Sequence, residues 1–179
     1  AGPGNKFWRT LAKVGLTDRQ LDPGEYRDLL DYGIGLTDLV KHQAGNDHAI
    51  KFRKADGFQL RATIVLYQPR YLCFNGKRPA QEFLGLSQIN FGVQSPRIGR
   101  TVLFVAPSTS AAANRSWDLR VWQDLARRVL PSKPPHNQRL DLSGARPVSA
   151  HATAGAVATD KELVFVFGEP VARRSTAER

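Results

Sequence analysis

Four patterns of buried-strand type in this sequence each lead into a short run of hydroxyl, amide or acidic residues. Val102-Leu-Phe-Val-Ala106 runs into Pro107-Ser108-Thr109-Ser110 and on through Ala111 to Asn114 and Arg115. Leu163-Val-Phe-Val-Phe167 runs into Gly168-Glu169-Pro170. Tyr71-Leu-Cys-Phe74 leads to Asn75-Gly76-Lys77, and the strand pattern Ile34 to Val40 carries Asp38 and opens on His42-Gln-Ala-Gly-Asn46-Asp-His48. An open α/β sheet binds its ligands beyond the carboxyl ends of its strands, so these ends are where chemistry is expected. The carboxylates of Asp38 and Glu169 are acceptors when ionised, the amides of Asn46 and Asn75 can donate and accept, and the hydroxyls of Ser108, Thr109 and Ser110 can hold phosphate. No base or orienting acid is spaced to make Ser108 a nucleophile. His42 and His48, with five residues between them on a loop, form a poor metal signature. The sequence has no Walker loop, GxSxG elbow or HExxH helix.

The elements that must position these ends follow from periodicity and punctuation. Phe7, Trp8, Leu11 and Val14 predict a helix from Asn5, stopped at Gly15. Asp22-Pro-Gly-Glu25 supplies an N-cap, a first-turn proline and a capping-box acid for a second helix ending at Gly33. A third helix is expected from about Asp56 to Tyr67 with Phe58, Ala62, Val65 and Leu66 inward, closed by Pro69. Asn75-Gly76-Lys77 opens a helix through Leu84, an irregular stretch follows, and Ser116 caps a last helix with Trp117, Val121, Leu125 and Val129 at helical spacing. Alternating helices and strands predict a three-layer α/β sandwich with a mostly parallel central sheet. Pro131 to Thr159, rich in Pro, Ser, Ala and Gly, is expected to be a connector. Residues 1–130 and 160–179 are expected to form one domain.

The formal charge of +10 and a pI near 10.3 give the chain a field that attracts polyanions, with nucleic acid the leading partner. No apolar run approaches the roughly 20 residues a membrane span needs, so no membrane is expected and the protein is read as cytoplasmic. The single cysteine, Cys73, excludes a disulfide or a cysteine-ligated metal or iron-sulfur site within one chain.

Ala1-Gly-Pro-Gly-Asn-Lys-Phe-Trp8, Gly15-Leu-Thr17, Leu29-Leu-Asp-Tyr-Gly33 and Gly35-Leu-Thr-Asp-Leu-Val40 together resemble the mismatch-specific uracil-DNA glycosylases, bacterial relatives of thymine-DNA glycosylase. Phe74-Asn-Gly-Lys77 and Pro107-Ser-Thr-Ser110 extend the resemblance, and the segment from Pro107 is similar to the family's DNA-wedging motif. In that family a strand and a catalytic loop precede the segment found here at Ala1, whereas the similar pattern lies at Leu163 to Ser175. A circular permutation is therefore expected, with Leu163 to Phe167 as the family's first strand and Gly168 to Ser175 beside Ala106 to Ser110.

The resemblance implies a monomeric, monofunctional hydrolase of the N-glycosidic bond of uracil or another deaminated base in DNA, working in the bacterial nucleoid without metal or other cofactor. A glycosylase needs a group that orders water beside the sugar, polar atoms that read the base and a wedge that fills the vacated stack. Glu169 is expected to order water, as in the similar loop of iron-sulfur uracil-DNA glycosylases, a branch that the single cysteine excludes. Asp38 stands where relatives carry a uracil-reading Asn, and is expected either to alter the base range or to handle water and protons itself. Gly168, Pro170, His42, Asn46, Asn75 and Ser108 would line the base site. Asn5, Lys77, Pro107, Thr109, Ser110, Ala111, Asn114 and Arg115 would contact DNA, and Lys41, Lys51, Arg53, Lys54, Arg97 and Arg100 are further phosphate candidates. Ala106 stands where many relatives have a catalytic His or Asn, which predicts slow chemistry. The competing reading is a module that binds lesions or abasic sites with little turnover.

Overall fold

Phe7, Trp8 and Leu11 bury one face of a first helix, α1 (Phe7–Lys13), and Gly15, at φ 78°, turns the chain out of it. A computed structural model describes residues 4–40, 51–130 and the strand at 163–167. The expected second helix is instead a 3₁₀ segment, Pro23–Tyr32, and the period explains it. Tyr26, Leu29 and Tyr32 recur every third residue, so three residues per turn keep them all against the core. The Asp22 capping box is present, with the Asp22 amide donating to Glu25 Oε2 at 2.8 Å, and Gly33 closes the segment at φ 69°.

Then follow β1 (Ile34–Asp38), α2 (Lys54–Tyr67), β2 (Tyr71–Asn75), α3 (Lys77–Leu84), β3 (Gly92–Ile98), β4 (Thr101–Ala106), a 3₁₀ turn (Ala111–Ser116), α4 (Leu119–Val129) and β5 (Leu163–Phe167). The five strands lie in the order β1-β5-β2-β4-β3. Strands β1, β2 and β4 point one way, β5 and β3 the other, so the sheet is mixed rather than mostly parallel. Only β2 and β4 are parallel neighbours, with Tyr71 opposite Val102 and Asn75 opposite Ala106. The β3–β4 pair is antiparallel by connectivity, because only Gly99 and Arg100 separate the two strands and so short a link cannot join parallel ones.

Helices flank both faces of the sheet. Ile34, Cys73, Phe104 and Ala106 pack with α1, the first 3₁₀ segment and α4. Leu72, Phe74, Leu103 and Val105 pack with α2 and α3 on the other side. Successive residues of β2 and β4 thus alternate between two cores, as strands buried on both faces must.

Three local expectations change. The stretch before Thr101 contains a strand, β3, whose Pro96 is tolerated because it lies on the sheet edge beside a register shift between Val93 and Arg97. Helix α4 starts at Leu119 under an Asp118 cap, whose side chain accepts from the Arg120 amide at 2.9 Å, because Ser116 is used to close the preceding turn. It buries Trp122, Leu125 and Ala126. Helix α2 turns a different face inward: Asp56, Leu60 and Ile64 are buried, whereas Phe58 is 71% and Leu66 75% exposed. Leu60 and Ile64 are one turn apart and meet the sheet together, and that excludes Phe58, Val65 and Leu66 from the same face.

The largest change is the direction of β5. It fills the slot between β1 and β2 but runs antiparallel to both, with Leu163 opposite Asp38 and Phe167 opposite Ile34 and Tyr71. A permuted first strand would run the same way as its neighbours and finish beside Asp38. This strand starts there and leaves the sheet at the other end.

Replacing Leu60 by Ala is expected to cost about 2–5 kcal/mol of unfolding free energy in urea. Phe58→Gln is expected to change it by no more than about 0.5 kcal/mol.

Candidate functional site

Three parallel strands deliver their carboxyl ends to one edge of the fold. Asp38 ends β1, Asn75 ends β2 and Ala106 ends β4. Since β5 lies between β1 and β2, the ends of those two are about 10 Å apart, and those of β2 and β4 about 5 Å. Asp38 is 5% exposed. A carboxylate so deep is costly to desolvate, so its place at this edge is a demanding feature of the fold.

The loop after β4 is braced at each residue. The Pro107 carbonyl accepts from the buried Trp122 indole N–H at 3.0 Å. Ser108, half-buried, accepts at Oγ from the Ser110 amide at 3.3 Å. Thr109, fully buried, is held by Asn75: its amide donates to Asn75 Oδ1 at 3.0 Å, and Asn75 Nδ2 donates to Thr109 Oγ1 at 3.0 Å. Ser110 caps the next turn, its Oγ accepting from the Ala112 amide at 3.3 Å. The segment before α1 lies against this loop. The Lys6 amide donates to the Thr109 carbonyl at 2.8 Å, Lys6 Nζ donates to Asn114 Oδ1, and a Cβ on Gly4 would stand 3.1 Å from that of Ala111. Lys6 Nζ also lies 5.3 Å from the Trp117 ring centroid.

Between the two strand ends sits Gly76, buried at φ 127°, leading straight into α3. Only glycine adopts that backbone readily, and the Ser108 side chain passes within 3.4 Å of where a Cβ would be. Lys77, the first residue of α3, is exposed and holds its ammonium 4.8 Å from the Phe91 ring centroid. Asn5 is half-buried, its Oδ1 accepting from the Phe7 amide at 2.8 Å at the start of α1.

The structure thus gathers Asn5, Asn75, Lys77, Pro107, Ser108, Thr109, Ser110, Ala111 and Asn114 along this edge, with Arg115 exposed in the same turn and Asp38 on the far side of the β5 slot. Arg97 and Arg100 are elsewhere: Arg97 pairs with Val102 at the start of β4, and Arg100 donates to Gln68 at 3.1 Å beyond the end of α2. Lys41, His42, Asn46, Gly168, Glu169 and Pro170 lie outside the described residues. Strand β5 ends at Phe167, opposite Ile34, at the other end of β1 from Asp38. Ala106 turns its methyl into the core with α1 and α4 and brings no polar group to the edge. Burial pushes the Cys73 thiol far up, out of the range where a thiolate nucleophile forms. Among the described residues, no three His, Cys, Asp or Glu side chains gather as a metal site, and no helix is long and apolar enough to cross a membrane.

The family model of the Uracil DNA glycosylase superfamily matches residues 1–126. The chain belongs to this superfamily. The match takes in every strand end just described and the loop after β4, and it stops before β5. Superfamily membership points to DNA glycosylase activity, the hydrolysis of an N-glycosidic bond in DNA. The braces supplied by Lys6, Gly4 and Trp122 were not singled out from sequence. A buried indole N–H needs an acceptor, and that requirement was the legible signal at Trp122.

Gly76→Ala is expected to cost about 1–3 kcal/mol through backbone strain, and to weaken DNA binding because Ser108 must give way. Thermal unfolding and fluorescence anisotropy with a labelled duplex check the two effects.

Proposed function

We propose that this superfamily member extrudes a deaminated base from DNA and hydrolyses its N-glycosidic bond, leaving an abasic site. The C1′–N bond breaks, water supplies the new hydroxyl at C1′, and the remaining proton goes to the departing base. The observation that carries this reading is the convergence of buried Asp38 and the braced Pro107–Ser110 loop on one edge, inside the residues matched to the superfamily. The loop and the start of α3 would hold the distorted strand, and the charge of +10 would draw the polyanion in.

Asp38 bears on which base is accepted. An ionised carboxylate only accepts hydrogen bonds. Uracil flanks its N3–H with two carbonyl oxygens, both of which repel a carboxylate. Hypoxanthine flanks its N1–H with one carbonyl and one C–H, so it suits an acceptor-only reader better. A base that leaves as an anion is also opposed by a neighbouring negative charge, and the larger, more delocalised purine anion suffers less.

The position of Ala106 favours a second reading, that of a protein which binds lesions or abasic sites and turns over barely at all. Its methyl lies in the core, and β4 therefore offers no side-chain donor to a developing anion.

Incubation with single- and double-stranded oligonucleotides carrying hypoxanthine, xanthine or uracil, followed by alkaline cleavage, separates the readings. Strand scission is expected with hypoxanthine ahead of uracil, and Asp38→Asn, which restores a donor, is expected to move the preference toward uracil by about tenfold or more. Scission with none of the three would overturn the glycosylase reading, and tight binding to abasic DNA without scission would establish the second.

A further inference from the structure

We propose that Asn75 is a positioning residue that sets how tightly the protein grips the DNA strand and has no part in choosing the base. The inference rests on the reading that the loop after β4 holds that strand. The sequence expectation was the reverse, with Asn75 lining the base site and Thr109 touching DNA.

Thr109 has three polar groups, and all are engaged inside the protein. Its amide donates to Asn75 Oδ1 at 3.0 Å, its hydroxyl oxygen accepts from Asn75 Nδ2 at 3.0 Å, and its carbonyl accepts from the Lys6 amide at 2.8 Å. It is fully buried, which leaves nothing of it for a ligand. A backbone amide can only donate, so the Asn75 carbonyl oxygen must face Thr109, and the side-chain amide is fixed in one orientation. The two-bond clasp is possible because Asn75 and Ala106 are opposite each other in the parallel register, so that a turn of three residues returns the chain to the neighbouring strand's end.

The consequence falls on the residues either side. With Pro107 tied to Trp122 and Thr109 tied to Asn75 and Lys6, the loop is pinned at alternate positions. Ser108 and Ser110, both only half-buried, remain to face a ligand. Each hydroxyl accepts from a backbone amide two residues on and keeps its own proton to donate. Asn75 has one donor and one acceptor committed to holding this array. Base choice is left to Asp38, two strands away across β5.

The test compares Asn75→Ala, Thr109→Val, the double variant and Thr109→Ser, which keeps the hydroxyl. Three quantities are read: hydrogen exchange of the segment 107–114, affinity for an abasic-site duplex, and the hypoxanthine-to-uracil scission ratio of the full chain. Asn75→Ala and Thr109→Val are each expected to speed exchange and to weaken affinity about tenfold, a loss the double variant does not deepen because both singles break one unit. Thr109→Ser is expected to bind within about twofold of the unaltered protein, with the scission ratio unchanged throughout. A changed ratio at unchanged affinity in Asn75→Ala would overturn the proposal in favour of base reading. Unchanged exchange in both variants would overturn it whatever the activity. Faster exchange with unchanged affinity would show that the loop does not hold the strand, and the loop's part in the proposed function would fall with it. Should Asn75→Ala not fold, the Val and Ser variants of Thr109 carry the same comparison.

Discussion

Because β2 and β4 run parallel in register, their carboxyl ends finish side by side, and the rest of the edge is built on that adjacency. Parallel strands cannot be joined by a tight turn. Helix α3 and strand β3 must therefore lie between β2 and β4 in the chain, and the sequence after β2 is free to begin a helix at Gly76 while the sequence after β4 forms the loop. Both strands are buried on both faces, so a one-residue slip would exchange the side chains offered to the two cores and upset the packing of each. A one-residue slip would also carry Asn75 away from Thr109 and break both bonds of the clasp. Core packing and site geometry are thus fixed by the same register.

How much of this was legible depends on which physical signal a residue carries. The strands at Tyr71–Asn75 and Thr101–Ala106 and the helix beginning at Lys77 announce themselves by apolar runs and by Asn-Gly punctuation. The inward face of α2 does not, because Phe58, Val65 and Leu66 compete with Leu60 and Ile64 and only the sheet decides between the two sets. Pro96 hid β3, since a proline argues against a central strand and says little about an edge. The 3₁₀ form of Pro23–Tyr32 was hidden for a different reason: caps mark the ends of a helix and leave its pitch open.

Strand direction is the property that periodicity cannot encode. Leu-Val-Phe-Val-Phe reads almost the same forwards and backwards, and a period of two places the same residues on the same faces either way. The pattern could therefore specify a strand for the slot between β1 and β2 without specifying that its carboxyl end meets Asp38. The antiparallel course puts the start of the strand, Leu163, opposite Asp38, and its end, Phe167, opposite Ile34 and Tyr71.

Charge and burial divide the remaining work at this edge. The positive charge of the chain acts over roughly a Debye length and is blind to sequence, so it can gather DNA but cannot select a base. Selection needs groups whose hydrogen bonds cannot be replaced by water, and those are the buried ones. Asp38 and Thr109 are both buried near strand ends, yet they answer to different demands. Thr109 has its amide, hydroxyl oxygen and carbonyl bonded within the protein and serves shape, whereas Asp38 brings a charge that a neutral Asn at the same place would not. Replacing that Asn by a carboxylate exchanges a mixed donor and acceptor for an acceptor alone. Under the proposed function the substrate then supplies the hydrogen, and the base that fits is one whose reading face does not crowd that hydrogen with carbonyls.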